Sequence, residues 1–551
     1  MNANDFVEGM KAYVFFYPLI MSIAWLIGGV FFYWRREKGQ SKEPPPLEHH
    51  PKVSVLIPAH NEERDLRDAV TSIFQNAYEN LEVIVINDAS TDGTQDVIEA
   101  LMKTYPALRA VRLTENMGKA NALNAALPMT KGEVIVTLDA DSMLDRHAIE
   151  WAVWHFIHFP RVGAVTGNPR VRNRTTLLAK IQTAEYASVI SLIKRTQRLV
   201  GKLMTVSGVV AAWRKTALVS VGGWDPRSVT DDIDMTWRLE TRFWDIRYEP
   251  NMLCWMLVPE TLRGIWHQRL RWAQGGVEVI RLHRGVWKDW RERRIWPIYI
   301  EYVLGILWSY AFLAYFLLWV VSQLTGVGRE IVGNPFWGWN GAVIACVCLL
   351  QFAVSIVLDM RYDKDLWKVI FWVVWYPVAY WAFNATAAAV SFPKGMLRSM
   401  EQPATWVSPD RGGQMMMKQQ TPVIDCSEQR SSWLRRAEQV ISAVATLIVW
   451  VVVLYALYRI LVLGNYPEDS MMEVIVILAL STLVLLLSSA FWQAYNIHRF
   501  RGRERRKAVP MPSDKELAKS FDMNLPKYQA VQGSTFVEVS SLDGQGYHVK
   551  K

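Results

Sequence analysis

Six long apolar segments set the strongest constraint on how this chain can fold. Each is about 20 residues or longer, the length that a helix needs to cross roughly 30 Å of hydrocarbon. Hydrophobic residues make up 51% of the 551, and 26 residues are tryptophan, values that are high for a soluble protein. We therefore predict an integral membrane protein. The segments span residues 12–33, 297–322, 339–359, 367–392, 438–463 and 471–493.

Basic residues cluster beside these segments, and the formal net charge is +9. The placement is typical of cytoplasmic loops and not of a nucleic-acid-binding stripe, so we expect no nucleic-acid partner. The first segment lacks a basic start and a cleavage site, which predicts a retained anchor running from outside to inside. The clusters are Arg35-Arg36, 291–294, Arg435-Arg436 and 499–507.

The apolar and polar stretches divide the chain into eight predicted regions. A large polar block lies between the first two apolar segments, and a polar tail closes the chain. The regions are an anchor (1–34), a linker (35–52), a cytoplasmic domain (53–260), amphipathic interfacial helices (261–296), a membrane region (297–392), a linker (393–437), a two-helix membrane module (438–493) and a cytoplasmic tail (494–551).

Within the polar block, apolar strands alternate with amphipathic helices. Strands are predicted at 53–57, 81–86, 110–113 and 133–138. This alternation indicates an α/β domain with a mainly parallel sheet. Ligands bind at the carboxyl ends of such strands, and Asn61, Asp88 and Asp139 each follow a strand there.

Carboxylates stand at two of the predicted strand ends. Asp139 and Asp141 follow an apolar strand, and strand alternation would point both side chains the same way, which suits Mg²⁺ or Mn²⁺ carrying a diphosphate. Asp88 could accept a hydrogen bond from a nucleobase, although an Asp-capped turn is an equally good interpretation. Gly118 and Lys119 suit a phosphate, or simply a helix start.

A second acidic cluster precedes a predicted helix at 235–243. Asp231 and Asp232 could cap that helix, or one could deprotonate a sugar hydroxyl, because adjacent carboxylates raise each other's proton affinity. Ser207, Gly208 and Trp224 lie between the motifs. They suit the wall of a sugar site, but turns and a core tryptophan explain them equally well.

The run 268–272 (QRLRW) lies in the amphipathic stretch before the second apolar segment. Two arginines with Gln268 and Trp272 on one helical face suit a diphosphate and a sugar ring. Taken alone, a basic interfacial helix is the simpler interpretation.

In their order, these residues resemble the processive membrane glycosyltransferases of family 2, the group of cellulose, chitin and hyaluronan synthases. The family pattern of an Asp, a DxD, a TED-type triplet and QxxRW corresponds to residues of this chain, with Asp231 where the family has Glu. The resemblance implies a GT-A-type domain inserted between transmembrane helices. The implied roles are Asp232 as catalytic base; Pro58, Asn61, Glu62, Asp88, Lys119 and Asp139 for the nucleotide; Asp139 and Asp141 for Mg²⁺ or Mn²⁺; and Ser207, Gly208, Trp224, Asp231, Gln268, Arg271 and Trp272 for the acceptor and diphosphate.

Within the family, the segments 162–172, 193–198 and 406–412 resemble the bacterial branch that makes β-1,6-linked poly-N-acetylglucosamine for biofilm matrix. That branch implies UDP-GlcNAc as donor, a growing poly-GlcNAc chain as acceptor, export across the inner membrane, and outer-membrane export and deacetylation machinery as partners. Residues after about 418 resemble its small two-helix accessory subunit, here joined to the catalytic part by gene fusion or by engineering. Cyclic di-GMP is the implied activator, with Arg499, Arg501 and Arg503 as unassigned candidates for contacting it.

Two questions stay open at this stage. If the segment 367–392 crosses the membrane, the basic stretch after it would lie outside, so that segment, broken by Pro377, is either re-entrant or interfacial, or the two parts did not evolve as one chain. The product could also be another β-glycan, of the chitin, hyaluronan or cellulose type. Interpretations from other classes are a non-catalytic membrane nucleotide sensor or a transporter.

Overall fold

A ten-stranded mixed sheet forms the centre of the large polar domain in the computed structural model. The structure describes residues 3–334, 339–400, 423–424, 432–463, 468–500 and 508–550. The strand order is β10-β9-β3-β2-β1-β4-β7-β6-β8-β5. The strands are β1 (Val53–Ala59), β2 (Leu81–Asp88), β3 (Leu108–Leu113), β4 (Val134–Leu138), β5 (Met143–Leu144), β6 (Val162–Val171), β7 (Val210–Arg214), β8 (Asp245–Met256), β9 (Phe536–Val539) and β10 (Tyr547–Lys550).

Helices cover both faces of this sheet. Strand β1 is buried along its whole length and pairs in parallel with β2 and β4, as its continuous apolar sequence predicts. Because parallel strands end at the same edge, the ends of β1, β2 and β4 lie side by side. The domain helices are α2 (Leu66–Phe74), α3 (Thr94–Thr104), α4 (Lys119–Ala126), α5 (Ala148–His158), α6 (Leu177–Glu185), α7 (Ile193–Val200), α8 (Lys215–Val221) and α9 (Asp231–Thr241).

Most of the remaining helices belong to the apolar segments. Within the described ranges, four helical stretches are long and apolar enough to cross a membrane: Asn4–Glu37, Trp296–Thr325, Trp339–Asp359 and Arg436–Ile460. These agree with four of the six predicted spans. The sixth predicted span, 471–493, lies within α15 and stays a prediction. The helices are α1 (Ala3–Phe32), α10 (Leu262–Leu282), α11 (Trp296–Thr325), α12 (Trp339–Asp359), α13 (Trp381–Leu397), α14 (Ser432–Leu461), α15 (Glu468–Phe500), α16 (Asp514–Ser520) and α17 (Leu525–Gly533).

The segment predicted at 367–392 is not one straight helix. It comprises Lys364–Trp372 and Tyr376–Leu397, bent by 58° at the break between them. Both ends contact the sheet-containing part of the chain or helix α10 beside it. Asp363, just before the segment, pairs with Arg174, which follows β6. Arg398, just after the segment, lies 2.9 Å from Glu278 of α10. These contacts favour the re-entrant or interfacial interpretation.

A buried ionic cluster joins the domain to the apolar helices. Asp359, at the end of α12, accepts from Arg195 at 2.7 Å and lies 2.8 Å from Arg170. Arg195 also pairs with Glu37, at the end of the first helical stretch, at 2.7 Å. Tyr362 donates to the same Glu37 at 2.8 Å. Since all four ionic groups are almost fully buried, each depends on the others for its charge compensation.

The C-terminal tail is folded against the domain. The sequence carries weak strand signals at 534–539, within the predicted cytoplasmic tail (494–551). In the structure, β9 forms there and adds in parallel to the edge strand β3, and β10 pairs antiparallel with β9. Leu517, Tyr528, Val531 and Val537 are buried in the same core as α4 and β3.

Candidate active site

The ends of β1 and β2 bring three loops together around Asp88. This residue is the last of β2, fully buried, and its carboxylate accepts from the backbone N–H groups of Met117 at 2.8 Å and Gly118 at 3.0 Å. Burial raises the pKa of Asp88, and the two amide donors oppose that rise. Asp88 therefore fixes the start of α4, the helix that begins with Lys119.

The loop after β1 has an unusual backbone. Asn61 has φ 58° and Ala89 has φ 49°, in the left-handed region that non-glycine residues rarely occupy. Asn61 accepts from the N–H of Thr91 at 2.8 Å, which joins the two loops. Such strain concentrates at ligand sites. Of the other residues predicted to bind the nucleotide, Pro58 lies buried in β1, and Glu62 is buried below the loop, its N–H donating to Thr94.

A short chain of contacts links Asp139 to Asp232. Lys119 Nζ donates to Asp139 Oδ1 at 2.5 Å and to the Gly208 carbonyl at 2.8 Å. Gly208 in turn lies against Asp232, since a methyl carbon placed on it would be 2.9 Å from Asp232 Oδ2. The nearby carboxylates outweigh burial and raise the pKa of Lys119. The structure thus brings together residues predicted from three separate motifs.

The two carboxylates at 139 and 141 do not sit on a strand. Strand β4 ends at Leu138, and Ser142 N–H donates to the Asp139 carbonyl at 3.0 Å, which closes a turn. The expectation that strand alternation aligns both side chains is therefore wrong. Asp141 is buried and accepts from Ser142 at 2.9 Å, while Asp139 is partly exposed and faces Lys119.

The carboxylates of Asp139 and Asp141 are compatible with a divalent cation that takes most of its ligands from a substrate. Among the described residues there is no group of three or more His, Cys, Asp or Glu side chains that could hold a metal ion. Mg²⁺ is commonly bound through one or two carboxylates together with phosphate oxygens and water. Asp139 and Asp141 are the predicted pair of carboxylates for such a site, and they belong to no all-protein metal cage among the described residues.

Asp231 and Asp232 occupy the first turn of α9, where carboxylates are favoured by the helix dipole. Burial and, next, the charge of Asp231 raise the pKa of Asp232 to about 6, while Lys119 and Arg271 act in the opposite direction. Burial also raises the pKa of Asp231. Asp232 is consequently poised to accept a proton near neutral pH.

Sequence reasoning missed a buried lysine near Ser207 and Gly208. Lys194 of α7 is buried and donates to Thr166 Oγ1 at 3.0 Å, and Thr166 also accepts from the N–H of Ser207 at 2.8 Å. Burial lowers the pKa of Lys194 to about 7. Thr166 therefore connects Lys194 to the backbone of Ser207, next to Gly208. A buried Lys is rare, but periodicity gives no sign that this one is buried.

Trp224, predicted to contact the acceptor, lies in the hydrophobic core of the domain. Its ring is 2% exposed and packs edge-to-face on Trp213, and its backbone exchanges two hydrogen bonds with Asn124. This placement favours the alternative of a core tryptophan.

The two arginines of the run 268–272 differ in burial and in their neighbours. Arg269 is buried, donates to Glu185 at 2.6 Å and to the Tyr380 hydroxyl at 3.1 Å, and stacks on Trp272. Arg271 is exposed, and its charge lowers the pKa of both Asp231 and Asp232. The expectation of an arginine pair on one face is thus wrong. Gln268 is buried, and no described residue offers a hydrogen-bond partner to its Oε1.

Some sequence predictions lie outside the described residues. They are the segment 406–412, Arg501 and Arg503, and the side chain of Arg499.

Comparison with known proteins places these residues in a family. Residues 50–275 match the model described as glycosyltransferase like family 2. The chain is 39% identical over 407 residues to the poly-β-1,6-N-acetyl-D-glucosamine synthase of Staphylococcus aureus, covering 73% of this chain and 98% of that protein. The enzyme of the same name from Staphylococcus epidermidis is 38% identical over 408 residues, with the same coverage. A solved mannosyltransferase from Pyrobaculum calidifontis, in complex with GDP-Man and Mn²⁺, has a TM-score of 0.46 at 21% identity, covering 70% of this chain and 99% of that one.

Proposed function

This chain belongs to glycosyltransferase family 2 and is a glycosyltransferase with a GT-A-like domain, and from that premise we propose that it polymerises N-acetylglucosamine from UDP-GlcNAc into a β-1,6-linked chain. The observation that carries the proposal is the 39% identity to a synthase of that polymer, over 98% of its length. The contacts among Asp139, Lys119, Gly208 and Asp232 lie within the region of the family match and support the proposal of a base beside a phosphate-binding group.

Asp232 is the proposed base. It would take the proton of the acceptor C6 hydroxyl while that oxygen attacks C1 of the donor sugar. The new O–C1 bond forms as the bond from C1 to the diphosphate oxygen breaks, which inverts the configuration and releases UDP. A single base facing the leaving group suits this direct displacement, whereas retaining hydrolases use two carboxylates about 5 Å apart.

The donor side would be formed by the loops around Asp88. Pro58, Asn61 and Glu62 border this region, and Lys119 contributes positive charge close to Asp139. A bound Mg²⁺ or Mn²⁺ would neutralise charge on the leaving diphosphate, with Asp139 and Asp141 as its protein ligands. Arg271, which is exposed and whose charge acts on Asp231 and Asp232, would stabilise the departing UDP.

The acceptor side would be formed by Ser207, Gly208, Asp231 and helix α10. Trp272 is half-buried, already stacked on Arg269, and its remaining surface offers an apolar face for a sugar ring. The buried Oε1 of Gln268 has no hydrogen-bond partner within the described part of the chain, and on this proposal it would accept from an acceptor hydroxyl.

The chain is an integral membrane protein, as its long apolar helices indicate. We place the catalytic domain on the cytoplasmic side of the bacterial inner membrane, because basic clusters flank the helices on that side and UDP-sugars are cytoplasmic. On this proposal the helices conduct the polymer outward for biofilm matrix. Activation by cyclic di-GMP and cooperation with outer-membrane export and deacetylation proteins belong to the same proposal.

Purified protein in lipid nanodiscs tests the proposed substrate. It is incubated with radiolabelled UDP-GlcNAc, UDP-glucose or UDP-glucuronate, with Mg²⁺ or Mn²⁺, and with or without cyclic di-GMP. We expect polymer only from UDP-GlcNAc, with 6-linked residues by methylation analysis and digestion by a β-1,6-specific hexosaminidase. Incorporation of glucose, or 4-linked product, would replace this proposal with a cellulose- or chitin-type synthase.

A further inference from the structure

The C-terminal tail completes one edge of the catalytic sheet. The N–H of Ala110 donates to Thr535 O at 2.9 Å, and the N–H of Thr114 donates to Val539 O at 3.1 Å. Without β9, strand β3 would present these groups as an open edge, a ready template for adding another strand. The tail is therefore joined to the domain by β-strand addition, in which backbone hydrogen bonds extend the sheet by one strand.

A buried arginine joins the tail to two further parts of the domain. Arg109 of β3 donates from Nη1 to Glu82 Oε2 at 2.8 Å and to the Met129 carbonyl at 2.7 Å. The same guanidinium donates from Nε to Ser534 O at 2.8 Å and from Nη2 to Gln532 O at 2.6 Å. Removal of the tail would leave two of these donors without their acceptors, which is unfavourable for each group that stays buried.

The tail also packs against the helix that carries the donor-side lysine. Helix α4 has eight residues, begins at Lys119 and continues into the turn Leu127–Met129. Tyr528 and Val531 of α17 are buried in the same core as Leu127 and Met129. So short a helix is not stable by itself, and it depends on contacts at both ends: Asp88 at the start and the tail beyond its last turn.

We propose that residues 508–550 form a docking module, in which strand addition to β3 holds the two C-terminal helices, α14 and α15, on the catalytic unit and supports helix α4 in its donor-binding position. The partner of the β3 edge is thus this chain's own tail. The docking stands on the contacts alone, while the effect on the donor site rests on the proposed function. Loss of docking would weaken donor binding more than it changes the acceptor side.

The docking is tested by cleaving the intact protein. A specific protease site is placed within 501–507 of the full chain, and the tail carries a C-terminal tag. After cleavage in nanodiscs, we expect the fragment to remain with the membrane part through size-exclusion chromatography. V537D, which puts a charge at a fully buried position of β9, should release it, and V549D, at a position 44% exposed on β10, should not. Release of the unmutated fragment would overturn the proposal.

Hydrogen exchange on the unmutated full chain tests the docking without any variant. We expect the amides of Ala110 and Thr114 to be protected as strongly as those in the centre of β2. Fast exchange of both amides would show an open edge and would contradict docking.

Kinetics then test the effect on the donor site. In intact V537D we expect the KM for UDP-GlcNAc to rise about tenfold, equivalent to about 1.4 kcal/mol, with kcat less affected and V549D unchanged. A fall in kcat alone would remove the donor-helix part of the proposal. If the wild-type chain made no polymer, the proposed function would fail, whereas fragment retention and exchange would still decide the docking.

Discussion

At the scale of single residues, the chemistry depends on the charge state of Asp232. Burial and Asp231 raise the pKa of Asp232 to about 6, so its carboxylate is protonated and inactive as a base below that pH. The value of kcat/KM should therefore fall as the pH decreases through about 6, and should level off above it. Initial rates at UDP-GlcNAc concentrations well below KM, measured between pH 5 and 8, follow this limb.

The neighbouring carboxylate provides a directional test. In D231N one negative charge is removed beside Asp232, so the pKa of Asp232 should fall, and the acid limb should move to lower pH by about one unit. The control D96N makes the same charge change on the exposed face of α3 and should leave the limb in place. An unmoved limb in D231N would contradict the role assigned to Asp232.

Much of the site could be predicted at this scale, because strand-end and helix-start carboxylates follow from local patterns. Asp88, Asp139 and Asp232 are examples. The partners of these residues could not be predicted so readily. Lys119 meets Gly208 across 89 positions in the sequence, and the turn at Asp139–Ser142 depends on a backbone bond that apolar periodicity does not reveal. The burial of Lys194 likewise results from tertiary packing.

At the scale of elements, a close helix contact positions Asp231 and Asp232. Gly275 of α10 lies against Thr230, and a methyl carbon on it would come within 2.2 Å of Thr230 Oγ1. G275A should therefore push α10 away from the start of α9, at a cost of about 1–3 kcal/mol. We expect polymer synthesis to fall about tenfold or more. The comparison is G285A, where an added methyl carbon would meet no neighbouring atom of the described residues within 4 Å, and activity should be retained.

The elements themselves differ in how far sequence predicts them. Strands β1 and β4 are continuous apolar runs, and the long apolar helices are clear from length alone. Strand β9 has four residues, and the tail's contact with Arg109 spans 425 positions, so neither local propensity nor periodicity indicates its partner. For the 364–397 segment, Pro377 and the charges that follow it indicate a re-entrant or interfacial path only as one of two alternatives.

At the scale of the whole molecule, the ionic cluster around Asp359 holds the domain on the membrane helices. D359N would leave Arg170 and Arg195 buried with one charge too few, which typically costs about 3–5 kcal/mol. We expect the apparent melting temperature in detergent to fall by several degrees. D365N removes an exposed partner of Lys368 and should have no measurable effect, since such surface pairs contribute about 0–1 kcal/mol. Equal melting temperatures for the two variants would show that the cluster is not stabilising.

The contacts also suggest one membrane topology. Asp359, both ends of the bent segment, and the tail all contact the catalytic domain or its adjoining helix α10. We therefore predict that the bent segment enters and leaves on one face, which places the basic stretch after it on the same side as the catalytic domain. In a chain without its native cysteines, S399C should be labelled only from the cytoplasmic side, and V327C, between α11 and α12, only from the periplasmic side. Periplasmic labelling of S399C would mean that the segment crosses the membrane.

The central claim is that Asp232 deprotonates the acceptor in a family 2 polymerase. The most direct measurement compares wild type with D232N in nanodiscs, following UDP-GlcNAc incorporation and UDP affinity on the same preparations. General-base catalysis contributes about 10²–10⁴-fold, so D232N should lose synthesis by that factor, while the UDP dissociation constant stays within about threefold of wild type. Undiminished polymer synthesis by D232N would contradict the account.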